Sequence, residues 1–513
     1  MEKGRILKSV GTVGSFTALS RFLGLARDVL MAGFFGTSLV MDAFVVAFTV
    51  PNLFRRLFGE GALSSAFVPV LVETRKKEGD LPAWNLVNRV LVLLAAVLTL
   101  ITLAVIFIAV FIPVQSEKAI QVLGLLKIMM PYMIFICLAA VSMGILNSFH
   151  HFAVSAFAPC ILNVLWIGTV LFVVPNIGNS PEEKIRAVAW AVLLAGFLQW
   201  IVQWPMLFKL GWRFSFPKLG KPDPKVGKIL RLMGPAALGM AVLQLNVVID
   251  RTLALWVGGG APSALFFSER LIYFPLGIIA TALGTVLLPT FSGQANDPEK
   301  MSETVSDSLR HLLFVMIPAA VGLLVLATPV VQMIFEWKNF GTASTWMTAI
   351  ALQAYAPGLV VFSLAKVFVP AFYGMQDTKT PVRIGMLAVV LNLVLNITFV
   401  LTLPQAVKHA GLAFATVLSS VFNMSCLALI LQHRLGGIDW KSVAATTIRS
   451  LGAAVLMGGA VWFVVGLFPM IGKVGQIISV AISITAGGAV YFTASFAFHA
   501  PELREFIRVF RRS

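Results

Sequence analysis

The chain has 513 residues, of which 58% are apolar and 12% charged, about half the roughly 25% charged fraction of soluble globular domains. A mean hydropathy of +0.91 and 40 Phe exclude disorder, and apolarity spread over the whole length excludes a soluble domain on a single anchor. A polytopic membrane protein remains. Lys and Arg outnumber Asp and Glu by 39 to 22, a formal charge of +17. In a membrane protein such residues collect in cytoplasmic loops facing anionic lipid, so the charge identifies no nucleic-acid partner. Cys137, Cys160 and Cys426 lie in apolar runs and are odd in number, which argues against a disulfide framework or a multi-cysteine metal site.

The apolar runs have the length of helices, about 20 residues, and not of barrel strands. In chain order they predict fourteen transmembrane helices, near 10–35, 40–72, 84–113, 118–147, 153–175, 185–209, 227–257, 262–291, 307–335, 343–374, 380–403, 409–433, 441–468 and 473–499. Turn signals separate them, among them Gly36-Thr37-Ser38, Glu78-Gly79-Asp80, Gly258-Gly259-Gly260 and Gly436-Gly437. The first run follows Lys3, Arg5 and Lys8 but is interrupted by Arg21, Arg27 and Asp28 and has no small-residue cleavage site, so it reads as a retained helix. Alternating the loops from there gathers Arg75-Lys76-Lys77, the basic stretch from Lys209 to Arg231, Lys379, Arg383, Arg434, Lys441 and the tail arginines on one face. That asymmetry predicts cytoplasmic termini, with residues 500–513 as an amphipathic cytoplasmic tail.

A weak repeat is also present. The second run ends Ala62-Leu63-Ser64-Ser65-Ala66-Phe67-Val68-Pro69 and the eighth Ala282-Leu283-Gly284-Thr285-Val286-Leu287-Leu288-Pro289. An offset of six helices preserves orientation, which suggests parallel six-helix lobes at 1–210 and 227–433 and two further helices at 441–499. The extra pair carries few polar groups and is expected to form a hydrophobic groove beside the second lobe.

Several charges lie too deep to snorkel. Arg21 is roughly 20 Å from Lys8 and roughly 22 Å from Gly36 along a helix, and Arg55, Arg56, Arg270 and Lys366 are also interior to their runs. Each costs about 2.5 to 3.5 kcal/mol on insertion scales, so these side chains should face a bundle interior or a wet cavity. Asp28, Asp42, Glu60, Asp250 and Glu269 accompany them, and the plainest account is interhelical salt bridges, with Arg21–Asp28 and Arg56–Glu60 on shared faces. The cations nevertheless come from both halves and exceed what local pairing neutralises. A cationic cavity between the halves would need an anion, and guanidinium forks match phosphate or pyrophosphate oxygens bidentately. Pro51 should kink the second helix beside Asn52, Arg55 and Arg56. No catalytic motif occurs, no metal site is assigned, and no cofactor is expected.

The stretches Ser20-Arg21-Phe22-Leu23-Gly24-Leu25-Ala26-Arg27-Asp28, Asp42-Ala43-Phe44, Pro51-Asn52-Leu53-Phe54-Arg55-Arg56-Leu57-Phe58-Gly59-Glu60, Glu269-Arg270-Leu271, Phe274-Pro275-Leu276-Gly277 and Asp377-Thr378-Lys379-Thr380-Pro381 closely resemble the MurJ (MviN) family of lipid II flippases. The resemblance covers essentially the full chain. It implies fourteen helices in two six-helix lobes of the multidrug/oligosaccharidyl-lipid/polysaccharide exporter superfamily, plus two terminal helices. It also implies alternating-access transfer of lipid II, undecaprenyl-diphosphate-MurNAc-pentapeptide-GlcNAc, between the leaflets of the bacterial cytoplasmic membrane. Carried over by position, Arg21, Arg27, Arg55 and Arg270 match the family's cavity arginines, with Asp42 and Glu60 as its acidic positions. The reading of the residues themselves adds Asn52, Arg56 and Lys366 as candidate substrate contacts and Asp28 and Glu269 as supporting acids. Asp250 and Asp377 are candidates for the family's cation site, although Leu393 and Tyr373 stand near positions where some members carry polar ligands. Coupling to membrane potential, Na+ or H+ follows as an expectation, as do a monomer and contact with cell-wall synthesis machinery. A cation-coupled drug or oligosaccharide exporter would be expected to have a more acidic or aromatic cavity, and a membrane enzyme acting on lipid-linked sugars would need a catalytic acid and a larger external loop.

Overall fold

The computed structural model describes residues 2–59, 62–217, 223–277, 281–468 and 472–505, and no strand occurs among them. Glu60 and the tail beyond 505 lie outside the described residues. The chain divides into two compact units, Met1–Leu255 and Trp256–Ser513.

In the first unit α1 covers Glu2–Phe35 and α2 covers Leu39–Phe54. Ser38 caps α2 by accepting the Met41 N–H, and Asp42 complements the dipole of the first turn. Pro51 has no N–H to donate inside α2, and the helix widens into a π-turn over Arg55–Gly59 before α3, Ala62–Glu78. The long α4 spans Asp80–Phe111. It is followed by α5, Glu117–Met129, and α6, Tyr132–Ser148, which meet at a 42° bend across Met130-Pro131. Next come α7, Phe152–Gly168, α8, Pro181–Ile201, the short α9, Trp204–Lys209, and α10, Pro224–Val257. Phe44, Phe67 and Tyr132 are fully buried in this unit's core.

Gly258, Gly259 and Gly260 all have positive φ, a conformation that side chains disfavour, and they form the predicted turn into α11, Ala261–Pro275. The second unit continues with α12, Thr281–Gly293, α13, Pro298–Val325, and α14, Ala327–Phe335. A second bend joins α15, Thr342–Tyr355, to α16, Gly358–Gly374, at 44° across Ala356-Pro357. The remaining helices are α17, Lys379–Thr402, α18, Lys408–Leu435, α19, Trp440–Leu467, and α20, Gly472–Ala497. Phe267, Phe335 and Phe340 interlock in its core with ring centroids 5.1 to 5.9 Å apart.

Two local features recur in the two units: π-helical turns at Arg55–Gly59 and at Leu276 and Gly277, and the bent helix pairs α5–α6 and α15–α16.

Among the described residues, eight helices are long and apolar enough to cross a membrane, or ten with the two bent pairs. The helices at the first, second, seventh and eighth predicted spans fall outside that set. They are the ones broken by a π-turn or burdened with Arg21, Arg27, Asp28, Arg55, Arg56, Asp250, Glu269 and Arg270. One expectation needs correction: the last two helices are not poor in polar groups, because Thr446, Ser450, Gln476, Ser479, Ser483 and Ser495 are all buried. Their hydroxyl and amide groups face helix neighbours, which is how such groups escape lipid.

Candidate functional site

The predicted cationic residues occupy unlike surroundings. Arg27 is buried on α1, with Nη2 2.7 Å and Nε 2.9 Å from Asp28 Oδ1, and Nη1 donating to Asn163 Oδ1 of α7 at 3.1 Å. Its guanidinium lies 4.6 Å from the centroid of the Trp166 ring, and Asn163 donates in turn to the Ser20 carbonyl at 3.0 Å. This is a buried ion pair fixed between two helices, so removing Arg27 would leave Asp28 in a dry site. Arg21 is exposed and makes no ion pair among the described residues, so the suggested Arg21–Asp28 bridge is replaced by Arg27–Asp28.

On α2 and its π-turn, Arg55 Nε donates to Asn52 Oδ1 at 2.8 Å, which orients the guanidinium from one turn away. Arg56 is exposed and reaches Gln244 Oε1 of α10 at 3.4 Å. The π-turn puts these neighbours where an α-helix would not, because each residue's angular position shifts at the bulge. Asp42 is buried in the first turn of α2. Asp250, half-buried on α10, accepts from Asn246 Nδ2 at 3.4 Å.

In the second unit the Arg270 guanidinium lies 4.5 Å from the Phe266 ring centroid, one turn back on α11. Glu269 accepts the Tyr355 hydroxyl of α15 at 3.2 Å. Lys366 is half-buried on α16, and its Cβ and carbonyl lie 3.6 Å from where a Cβ on Gly284 would stand, so that glycine gives it room beside α12. Asp377 lies in the turn before α17. Its carboxylate accepts the Lys379 and Thr380 N–H groups at 3.0 Å and the Thr380 hydroxyl, and it pairs with Arg434 at 2.6 Å. Burial pushes this carboxyl up, but the Thr380 hydrogen bonds and the Arg434 charge outweigh it and hold it at about 2. Such a saturated cap has little capacity left for a cation.

Residues 31–498 match the family described as Lipid II flippase MurJ. The chain belongs to the MurJ family. It is 37% identical over 485 residues to a probable lipid II flippase MurJ of Vibrio cholerae, covering 89% of each chain. It is 36% identical over 473 residues to the lipid II flippase MurJ of Burkholderia cenocepacia, covering 88% of this chain and 89% of that one. Among solved structures, a lipid II flippase MurJ in an inward closed conformation superposes with a TM-score of 0.78 at 26% identity, over 96% of this chain and 99% of the other. An inward-facing multidrug resistance transporter of the MATE family shares the fold, with a TM-score of 0.67 at 16% identity over 83% of this chain and 98% of the other.

One feature of this MurJ-family chain went unread in the sequence, and a second was anticipated only in part. Asn163, Trp166 and Ser20 surround Arg27 from 136 to 139 residues away or from two turns back, and only the α1–α7 packing brings them together. The second feature is an apolar cavity of about 500 Å³ among α13, α14, α19 and α20, lined by Phe314, Pro318, Leu326, Met457, Gly488 and Tyr491 among others. Its floor is tied by the Tyr491 hydroxyl, which donates to the Phe314 carbonyl at 2.6 Å. Where α13 and α19 meet the segment after α20, Arg310 pairs with the buried Glu502 at 2.7 Å, and Thr446 donates to Glu502 at 2.6 Å.

Proposed function

We infer that this protein is a lipid II flippase, a membrane transporter and not an enzyme. The similarity to MurJ proteins over nearly nine-tenths of the chain carries that reading. The wider reading is ours: fourteen membrane-spanning helices arranged as two six-helix lobes and a terminal pair, with both termini in the cytoplasm. On that reading the protein moves undecaprenyl-diphosphate-linked peptidoglycan precursor from the inner to the outer leaflet of the cytoplasmic membrane by alternating access. The four predicted spans that fall short in apolarity bear the deep charges in both units, and that pattern supports a polar path over four misplaced segments.

Within this reading the exposed Arg21 and Arg56 and the Asn52-oriented Arg55 of the first unit, and Arg270 and Lys366 of the second, are ligands for the diphosphate. Arg27, with Asp28, holds α1 against α7 and acts on the substrate through that position. The apolar cavity of the second unit takes part of the isoprenoid tail, which its apolar lining suits. Coupling to membrane potential or to a cation engages Asp250 in preference to Asp377. The protein works as a monomer that hands its cargo to cell-wall synthesis machinery.

The test is transfer of lipid II by purified protein in proteoliposomes, with binding of undecaprenyl phosphate and of a cationic drug measured in parallel. Lipid II transfer and binding are expected. Preference for the cationic drug would favour an exporter of the MATE kind instead.

A further inference from the structure

The segment after α9 carries an aromatic ladder that the transport path does not use. Gly211 has φ +96°, which only glycine adopts at low cost, and after this turn residues 212–217 run without helix or turn beside Asn88 of α4. The Trp212 indole donates to Asn88 Oδ1 at 2.8 Å, while Asn88 Nδ2 donates to the Arg213 carbonyl at 2.8 Å and to Ser215 Oγ at 3.0 Å. One side chain of α4 therefore pins three residues of the segment.

Alternate residues of an extended chain share a face, and here that face leaves the protein stepwise. Trp212 is 2% exposed, Phe214 51% and Phe216 79%, with successive ring centroids 6.3 and 5.0 Å apart. Phe208, also exposed, stacks on Trp212 at 5.3 Å. Asn88 and Arg89 are the last strongly polar residues of α4 before the run Val90–Phe111, which has no charge. The ladder is thus anchored at the level where the hydrocarbon begins, the depth at which exposed aromatic rings are favoured.

The charges at this level are unbalanced. Glu73 pairs with Lys77 and Lys228, Glu78 with Lys225, Asp80 with Arg75 and Asp223 with Arg89. These contacts occupy the nearby acids. Lys209 and Arg213 flank the ladder, are exposed, and have no acidic partner among the described residues. We propose that the 208–216 hook is a binding site for anionic phospholipid of the bilayer, in which Phe208, Phe214 and Phe216 enter the headgroup–acyl boundary and Lys209 and Arg213 hold the lipid phosphate. The site takes a resident membrane lipid and not the transported one.

The test uses the full chain in nanodiscs with a nitroxide at Phe216→Cys in a Cys426→Ser background. In discs of phosphatidylcholine with phosphatidylglycerol the label is expected to be immersed, reached by oxygen and shielded from an aqueous nickel complex. It should rise toward water in pure phosphatidylcholine and in the Lys209→Gln/Arg213→Gln variant. Retention of phosphatidylglycerol, read by native mass spectrometry, should fall roughly fivefold for each cation removed. A label that stays water-accessible in the anionic discs would overturn the proposal, as would unchanged phosphatidylglycerol retention in the double variant. Preferential retention of an isoprenoid diphosphate over phosphatidylglycerol would assign the hook to the substrate and overturn the choice of ligand.

Discussion

Arg21 and Arg27 lie about 9 Å apart along α1, yet their guanidinium groups have different surroundings. Arg27 satisfies the buried Asp28 and the Asn163 amide, so Arg27→Ala leaves a carboxylate buried without its cation. A loss of about 3 to 5 kcal/mol is expected, read as a fall in folded protein in the membrane and a lower unfolding temperature in detergent. Arg21→Ala removes an exposed side chain and should leave abundance unchanged while reducing transport. Equal abundance of the two variants would contradict this division. Asp377 allows a pH test of its role as a cap. Its carboxyl titrates at about 2, below the ordinary 3.8, so its contribution is complete above the ordinary value and is lost as pH falls through the folded one. Asp377→Asn should therefore destabilise the protein at neutral pH, with the deficit closing as the pH approaches 2. A deficit that does not change with pH would mean that the Arg434 pair contributes nothing through charge.

At the scale of elements, the breaks in the helices carry the information. The depth expected for Arg21, Arg55 and Arg270 follows from spacing alone, because a helix rises a fixed distance per residue. The π-turn over Arg55–Gly59 was not, since Pro51 signals a kink without saying how the ladder is repaired. The division of labour between Arg21 and Arg27 was equally hidden, because it depends on Asn163 and Trp166 from a distant part of the chain. The groove was anticipated as a surface of the last two helices, but its wall also comes from α13 and α14, and sequence distance conceals that packing. Two adjacent glycines test this element. A Cβ on Gly487 would come within 2.6 Å of Val461 Cγ2, whereas one on Gly488 meets nothing within 4 Å. Gly487→Leu should force α19 and α20 apart, costing about 1 to 3 kcal/mol and lowering abundance. Gly488→Leu should fold normally and weaken binding of a tail-labelled isoprenoid lipid. If both variants fold and bind as the parent does, the cavity does not hold the tail.

For the molecule as a whole, orientation and transport are the properties to measure. Lys379 follows α16 and is exposed, Lys338 follows α14 and is exposed, and the charge asymmetry predicts that they lie on opposite sides of the membrane. A thiol at Lys338→Cys should react with an impermeant maleimide in intact cells, and one at Lys379→Cys only after permeabilisation. The reverse pattern would invert the topology. The most direct test of the central claim, that the deep arginines of both units bind a diphosphate during lipid transfer, is the rate of lipid II transfer in proteoliposomes holding equal amounts of folded parent, Arg21→Ala, Arg55→Ala or Arg270→Ala protein. Losing a charge-assisted hydrogen bond costs about 1.5 to 3 kcal/mol, so each variant is expected to transfer lipid II about ten- to a hundredfold more slowly than the parent. Parental rates in all three would contradict the account.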